Sequence, residues 1–241
     1  MATFVLIPGA GSDSSYWYLV EPELRTLGHD VVAPDLPITD DSAGFSEYAD
    51  AVIAAIGDRS DLVVVAQSMG GFTAALVCDR IQVDLVVLVA AMVPEPGEAA
   101  GDWWENTGWQ AAYDALAHQE GRPIGEGFDP ISEFFHDVPP HVTEFAMQQE
   151  PLDQSGTPFE QPWPLDAWPD VPTRFLLCRN DRFFPADFMR TVVEDRLGIT
   201  ADEMDSGHLP ALAHPVELVR RLDAYWVEHR QRRPSVPQGD R

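Results

Sequence analysis

A serine at position 68 stands where a buried strand pattern changes into a helix pattern. The strand pattern is apolar on both faces from Leu62 to Ala66, and two glycines, Gly70 and Gly71, follow the serine. A strand–serine–helix turn is so tight that the residues two before and two after the serine need very small side chains. Such a turn lifts the hydroxyl above the sheet edge, beside a helix N-terminus that favours negative charge. We therefore predict that Ser68 is a nucleophile; the alternative is an ordinary helix cap.

A serine hydroxyl needs a general base and an orienting carboxylate. His208 is the best candidate base, because it lies in a loop between the last short strand pattern and the last helix pattern. Asp181 follows another buried strand pattern, at the sheet edge where ligand sites gather in parallel sheets. Asp205 and Asp187 remain alternatives to Asp181. The predicted catalytic residues are thus Ser68, Asp181 and His208.

Hydrolysis through a serine also requires backbone N–H groups that bind an oxyanion. The amide of Met69, directly after the serine, is one candidate. The amide of Ala10 is the other, because Gly9 and Gly11 let this loop approach closely after the first strand pattern. A dinucleotide-binding loop is the rival interpretation, but its third glycine would fall at Ser14.

Short apolar runs alternate with helical periodicity along most of the chain. The runs predict strands at 4–7, 31–33, 62–66, 85–90, 173–178 and 199–204. The periodic segments predict helices at 15–27, 45–56, 69–80, 186–197 and 215–228. Strands that are apolar on both faces and separated by helices indicate an α/β fold with a mostly parallel sheet flanked by helices.

The strand pattern stops between residues 94 and 170. This stretch holds five of the seven tryptophans and is too long for a simple connection, so we predict a helical cap inserted between two late strands. The core would then comprise residues 1–93 and 171–230, with a disordered tail at 231–241. We expect most cap aromatics to form the cap's own core. A few side chains are predicted to contact the substrate: Trp103, Trp104, Trp109, Phe135 and Leu209.

The composition limits the partners. The chain of 241 residues has 40 acids and 15 bases, a formal charge of −25 and no lysine, which argues against nucleic acid or an anionic membrane as a partner. No apolar run is long enough to span a membrane, and the N-terminus lacks a signal-peptide pattern, so we expect a cytoplasmic protein. The two cysteines are expected to be reduced thiols. No zinc-ligand spacing occurs, and no metal or organic cofactor is required; a homodimer is compatible with the sequence.

Between Thr3 and Tyr225 the chain resembles the α/β-hydrolase superfamily. Within it, the chain is similar to the hydroxynitrile lyase and plant methylesterase-like branch and its bacterial esterase relatives. The motifs behind this resemblance are Ile7-Pro8-Gly9-Ala10-Gly11, Pro34-Asp35-Leu36-Pro37, the turn at Ser68, Asn180-Asp181-Arg182 and Gly207-His208. The order serine, aspartate, histidine matches this fold. The resemblance implies a cap domain at the position of the insertion. It also implies a lysine near the triad in lyases of this branch, which this lysine-free chain cannot supply.

These residues predict a serine hydrolase that cleaves a small, largely apolar carboxylic ester through an acyl-enzyme. Thioester hydrolysis, C–C bond hydrolysis or cyanohydrin cleavage on the same triad are alternatives. A receptor that kept the fold without turnover is another, because fold alone does not define function. A dehalogenase or epoxide hydrolase would need an aspartate at position 68.

Overall fold

The computed structural model describes residues 1–124 and 129–232. Six strands form its sheet: β1 (Thr3–Ile7), β2 (Asp30–Val32), β3 (Leu62–Gln67), β4 (Leu85–Val89), β5 (Thr173–Cys178) and β6 (Asp202–Met204). The order across the sheet is β2-β1-β3-β4-β5-β6, and every neighbouring pair is parallel. The predicted α/β class with a parallel sheet is therefore confirmed.

Helices cover both faces of this sheet. The α-helices in the described residues are α1 (Glu21–Thr26), α2 (Phe45–Ile56), α3 (Gly70–Arg80), α4 (Trp103–Thr107), α5 (Trp109–Glu120), α6 (Pro130–Phe134), α7 (Pro140–Met147), α8 (Thr157–Glu160), α9 (Ala186–Leu197), α10 (Pro210–Ala213) and α11 (Pro215–Arg232). Helices α2, α3 and α9 contribute to the core on one face, and α1, α10 and α11 to the core on the other. Alternate residues of β1 enter opposite cores, with Val5 on the α2 side and Leu6 on the α11 side. This alternation explains why the strands are apolar on both faces.

Some predicted boundaries need correction. The helix predicted at 15–27 is a 3₁₀ turn at Ser14–Trp17 followed by α1, which restarts with Pro22 in its first turn, where no amide donor is needed. The last strand is only Asp202–Met204. Helix α11 extends to Arg232, so residues 231 and 232 of the predicted tail are helical. The rest of that tail, 233–241, lies outside the described residues.

Helices α4 to α8 lie between β4 and β5, the position of the predicted cap. In the described parts of 94–170, no strand occurs, only an isolated bridge between Ala99 and Pro162. Near this bridge the amide of Trp163 donates to the carbonyl of Glu98 at 2.9 Å, so the two ends of the insertion are joined. The division into core and cap domains stays a prediction. Across the residues that the structure describes, no helix is both long and apolar enough to cross a membrane.

Candidate active site

The turn from β3 to α3 holds Ser68 in a strained backbone conformation. Its φ angle is +51°, in the left-handed region that residues other than glycine rarely adopt. Two close approaches explain the glycines that follow. A Cβ atom on Gly70 would lie 2.7 Å from the carbonyl oxygen of Pro8, and one on Gly71 would lie 2.0 Å from that of Met92. The glycines let α3 begin against these two carbonyls, with the serine at the sheet edge.

The three predicted catalytic side chains are brought together. His208 Nε2 lies 3.2 Å from Ser68 Oγ, and His208 Nδ1 lies 2.7 Å from Asp181 Oδ2. Asp181 and His208 are 1% and 3% exposed, whereas Ser68 keeps part of its surface accessible. A serine on one ring nitrogen and a carboxylate on the other is the arrangement in which Nδ1 donates and Nε2 accepts. The geometry therefore suits activation of Ser68 by a neutral imidazole.

Hydrogen bonds that involve backbone groups hold Asp181 and His208 in place. The second carboxylate oxygen of Asp181 accepts hydrogen bonds from the amides of Phe183 and Phe184, at 2.8 and 2.9 Å. The carbonyl oxygen of His208 accepts one from Gln67 Nε2 at 3.1 Å. Both oxygens of the buried carboxylate are therefore satisfied, and the residue next to the serine also fixes the loop of the base.

The two reserve carboxylates lie elsewhere. Asp205 is mostly exposed and pairs with Arg179 at 2.8 Å. Asp187 is almost fully exposed and pairs with Arg190. Since neither carboxylate contacts His208 in the described structure, Asp181 is the group that the geometry places beside the base.

The predicted oxyanion loop passes close to Ser68. A Cβ atom on Gly9 would lie 2.9 Å from Ser68 Cβ and 2.5 Å from Gln67 Oε1, so only glycine fits there. Within the described residues, the amides of Ala10 and Met69 donate no hydrogen bond. One of these uncommitted amides directly follows Ser68 and the other directly follows Gly9; an oxyanion site requires such donors, and their role stays a prediction.

Aromatic rings surround the imidazole. Phe134 stacks on His208 at 5.1 Å between ring centroids, while Phe183 and Phe184 meet it edge to face at 5.3 and 5.0 Å. Phe134 belongs to the insertion, and the other two follow Asp181. None of these three rings lies in a local sequence pattern that indicates contact with a distant histidine, so they could not be identified as site residues from the sequence.

The predicted substrate contacts occupy three different environments. Trp103 has no exposed surface, and its indole N–H donates to the carbonyl of Val93 at 3.1 Å, so it belongs to the core and offers a ligand nothing to contact here. Trp104 and Trp109 are half-buried and pack on Phe183, one ring away from His208. Phe135 and Leu209 are half-buried against the core on the α11 side.

Other reactive groups are unsuited to catalysis. Cys78 and Cys178 are free thiols, and burial raises the pKa of Cys78 to about 12. Burial and the neighbouring Asp181 carboxylate raise the pKa of Cys178 as well. Both thiols therefore stay protonated at neutral pH. No cluster of three or more metal-ligating side chains occurs in the parts of the chain that the structure describes.

Comparison of the sequence with known proteins identifies one family and several esterases as relatives. The model of the Alpha/beta hydrolase family matches residues 4–221. Methylesterase 1 of Arabidopsis thaliana is 22% identical over 244 residues, which cover 89% of this chain and 92% of the relative. Polyneuridine aldehyde esterase of Rauvolfia serpentina is 23% identical over 252 residues, covering 91% and 94%.

Solved structures share the fold. The crystal structure of polyneuridine aldehyde esterase superposes with a TM-score of 0.74 at 20% identity, covering 93% of this chain and 99% of that one. A pyrethroid hydrolase from Sphingobium faniae gives a TM-score of 0.72 at 20% identity, covering 94% and 97%. At such identities the likeness shows the fold alone.

Proposed function

The chain belongs to the alpha/beta hydrolase family, a family of enzymes, and we propose that it is a serine carboxylesterase within it. The observation that carries this proposal is the continuous hydrogen-bonded line from Asp181 through His208 to Ser68, at 2.7 and 3.2 Å. A receptor without turnover would not need three polar groups held in this alignment around a strained serine. The names of the relatives, methylesterase and polyneuridine aldehyde esterase, support ester chemistry.

The proposed reaction has two halves. The Ser68 oxygen attacks the ester carbonyl carbon while His208 Nε2 takes the hydroxyl proton, and the amides of Ala10 and Met69 bind the oxyanion. The C–O bond to the alcohol then breaks, and His208 returns the proton to the departing oxygen. Water next attacks the acyl-enzyme, again losing a proton to His208, and the carboxylic acid leaves as Ser68 regains its proton. Asp181 stabilises the imidazolium formed in both halves.

The surroundings of the triad favour a compact, largely apolar ester. Phe134 lies directly on His208, and Trp104 and Trp109 stand behind Phe183. Binding sites for small molecules are mostly apolar with a few placed polar groups, which suits an acyl or alcohol part that is aromatic or short. The charge of −25 disfavours anionic substrates, and equally nucleic acid and anionic membranes as partners.

A substrate panel tests the proposal. We would compare p-nitrophenyl esters of increasing acyl length, methyl and phenyl esters of aromatic acids, thioesters, β-diketones and mandelonitrile, using wild type and Ser68→Ala. We expect Ser68-dependent hydrolysis to be fastest on short or aromatic esters. Ser60→Ala is the matched control, because Ser60 is an exposed serine just before β3.

Three outcomes would contradict the proposal. Faster Ser68-dependent cleavage of thioesters or C–C bonds would assign the triad to those reactions. Rates that rise steadily to long acyl chains would contradict the compact substrate. A folded wild-type protein inactive on the whole panel would favour the receptor.

A further inference from the structure

One segment of the insertion contacts both loops that carry the acid and the base. This clamp segment, residues 130–137, comprises α6 and the turn after it. The carbonyl oxygen of Ser132 accepts a hydrogen bond from Arg182, next to Asp181, at 2.8 Å. The ring of Phe134 stacks on the imidazole of His208, and the carboxylate of Asp137 reaches the backbone of Gly207. The catalytic histidine is therefore touched on its ring and beside its backbone by residues of the insertion.

The contact between Asp137 and Gly207 is short and leaves no space for a side chain on residue 207. Asp137 Oδ2 accepts the amide hydrogen of Gly207 at 2.5 Å, with the hydroxyl of Ser206 further away at 3.4 Å. A Cβ atom on Gly207 would lie 2.6 Å from Asp137 Oδ1 and 2.7 Å from a ring carbon of His136. Position 207 must therefore be glycine for the carboxylate to approach the chain there. Hydrogen bonds from amides to carboxylates are among the stronger ones in proteins.

This hydrogen bond is one of two that hold the backbone on either side of the His208 ring. On the other side, Gln67 donates to the carbonyl oxygen of His208 at 3.1 Å. The two-residue unit 207–208 is thus held at its first amide by the insertion and at its last carbonyl by the residue before Ser68. A shift of the backbone of His208 also moves its imidazole ring. Loss of either hydrogen bond would therefore shift Nε2 relative to Ser68 Oγ.

We propose that Asp137 is a positioning residue, which aligns His208 through the amide of Gly207 and thereby couples the insertion to the base. The inference rests on the proposed function. This positioning role differs from a general contribution to stability. It requires a side-chain oxygen of residue 137 that accepts the hydrogen of the Gly207 amide, and it does not require the negative charge. An amide side chain keeps that acceptor, whereas alanine removes it. His214 Nε2, 3.7 Å from Asp137 Oδ2, is a second neighbour whose pairing would be lost in both variants.

The test compares Asp137→Ala and Asp137→Asn with wild type, and Glu144→Ala serves as the control. Glu144 is an exposed acid of α7 whose side chain makes no hydrogen bond or ion pair in the described structure. We would measure kcat and KM on the best ester, the rate of inactivation by a fluorophosphonate probe, and thermal unfolding. A displaced base should lower kcat and the labelling rate by roughly 10- to 100-fold in Asp137→Ala, with KM changing far less. Asp137→Asn should recover most of both rates, and Glu144→Ala should match wild type.

A measurement that does not depend on turnover completes the test. The Nδ1 proton of His208, shared with Asp181, should give a far-downfield proton resonance that disappears in His208→Gln. We expect this signal unchanged in Asp137→Asn and shifted or broadened in Asp137→Ala. Wild-type rates and signal in Asp137→Ala would overturn the inference, as would equal losses in both variants. If Asp137→Ala does not fold, a large kcat loss in Asp137→Asn still overturns it. Ester turnover that persists at the wild-type rate in folded Ser68→Ala would instead contradict the proposed function.

Discussion

The two sides of the candidate site are built in different ways. On the sheet side, the backbone fixes the geometry: Ser68 has a positive φ angle, and Gly70 and Gly71 leave no space for a side chain. On the insertion side, long-range side-chain contacts fix it, such as those from Asp137 to Gly207 and from Trp109 to Phe183. Ser68 thus stands on the side that local sequence determines, while the surroundings of His208 depend on contacts between distant segments.

A buried ion pair shows how the insertion is attached. Arg196 of α9 and Glu98 of the insertion are 6% and 2% exposed and share two hydrogen bonds, at 2.6 and 2.9 Å. Asn106 adds a third contact to the same carboxylate at 2.9 Å. Removing one partner of such a pair leaves an unpaired buried charge, which is strongly destabilising. The insertion is therefore held at its start independently of its contacts with the loops that carry Asp181 and His208.

The largest expected effect is on the sheet side. Asp181→Asn should lower kcat by roughly 10⁴-fold, because an amide no longer stabilises the imidazolium or the required tautomer. The structure should persist, since the amide oxygen still accepts from the amides of Phe183 and Phe184. Steady-state kinetics on the preferred ester measure this loss. Asp205→Asn is the control and should retain full activity, because in the described structure the Asp205 carboxylate pairs with Arg179 and does not contact His208. The reverse outcome would assign the orienting role to Asp205.

Two neighbouring tryptophans on the insertion side are expected to have different roles, one in the core and one near the candidate site. Trp103→Ala should lower the free energy of unfolding by about 3–5 kcal/mol, because it removes a fully buried indole from the core. Trp104→Ala should cost less stability and should raise KM for aromatic esters, because Trp104 is half-buried beside Phe183. Denaturant unfolding and ester kinetics on both variants give the comparison. A KM effect confined to Trp103→Ala would contradict the assignment of that residue to the core.

Two glycines extend the comparison to the backbone. Gly71→Ala should destabilise the protein by at least about 1–3 kcal/mol, because the new methyl group would lie 2.0 Å from a carbonyl oxygen. In the described structure, a Cβ atom on Gly156 of the insertion would meet no atom within 4 Å apart from its chain neighbours, so Gly156→Ala should be neutral or stabilising by about 0.4–1 kcal/mol. Urea unfolding measures both values. Equal losses of stability would show that the turn from β3 to α3 is no more tightly packed than the insertion.

The smallest expected effect is at one of the hydrogen bonds that join the insertion to the loop of Asp181. Trp109→Phe keeps an aromatic ring but removes the indole N–H that donates to the carbonyl of Phe183 at 2.6 Å. We expect a loss of about 0.5–1.5 kcal/mol in unfolding free energy and a small decrease in kcat. Trp168→Phe is a control of the same type, because its indole bonds to Thr173, at the start of β5. A change in kcat as large as that of Asp181→Asn would show that the insertion holds the acid directly.

The same contrast explains what could be predicted from the sequence. Helix α2 and strand β5 have the predicted bounds, because their apolar spacing extends over whole elements. The proximity of Ser68, Asp181 and His208 could be predicted, because each follows a buried strand or precedes a helix. These signals are local, and the parallel sheet then brings them to one edge.

The insertion offered fewer signals. Helices α6 and α8 have five and four residues, too few to show a periodic pattern. Asp137 is one of forty acids in the chain, and nothing near it in sequence indicates that it meets Gly207, 70 residues later. Trp103 and Trp104 are adjacent and identical in type, so only tertiary packing decides which of them is in the core. Residue type alone therefore could not separate structural aromatics from those near the base.

Covalent trapping at Ser68 tests the central claim most directly. After reaction with a fluorophosphonate, trypsin should release the labelled residue in one peptide, 60–80, because Arg59 and Arg80 flank it and the chain has no lysine. Fragmentation must then distinguish Ser68 from Ser60, the other serine of that peptide. We predict a single adduct on Ser68, formed in parallel with loss of ester hydrolysis and absent in Ser68→Ala. An adduct on any other residue, or full hydrolysis by the folded Ser68→Ala variant, would contradict this account.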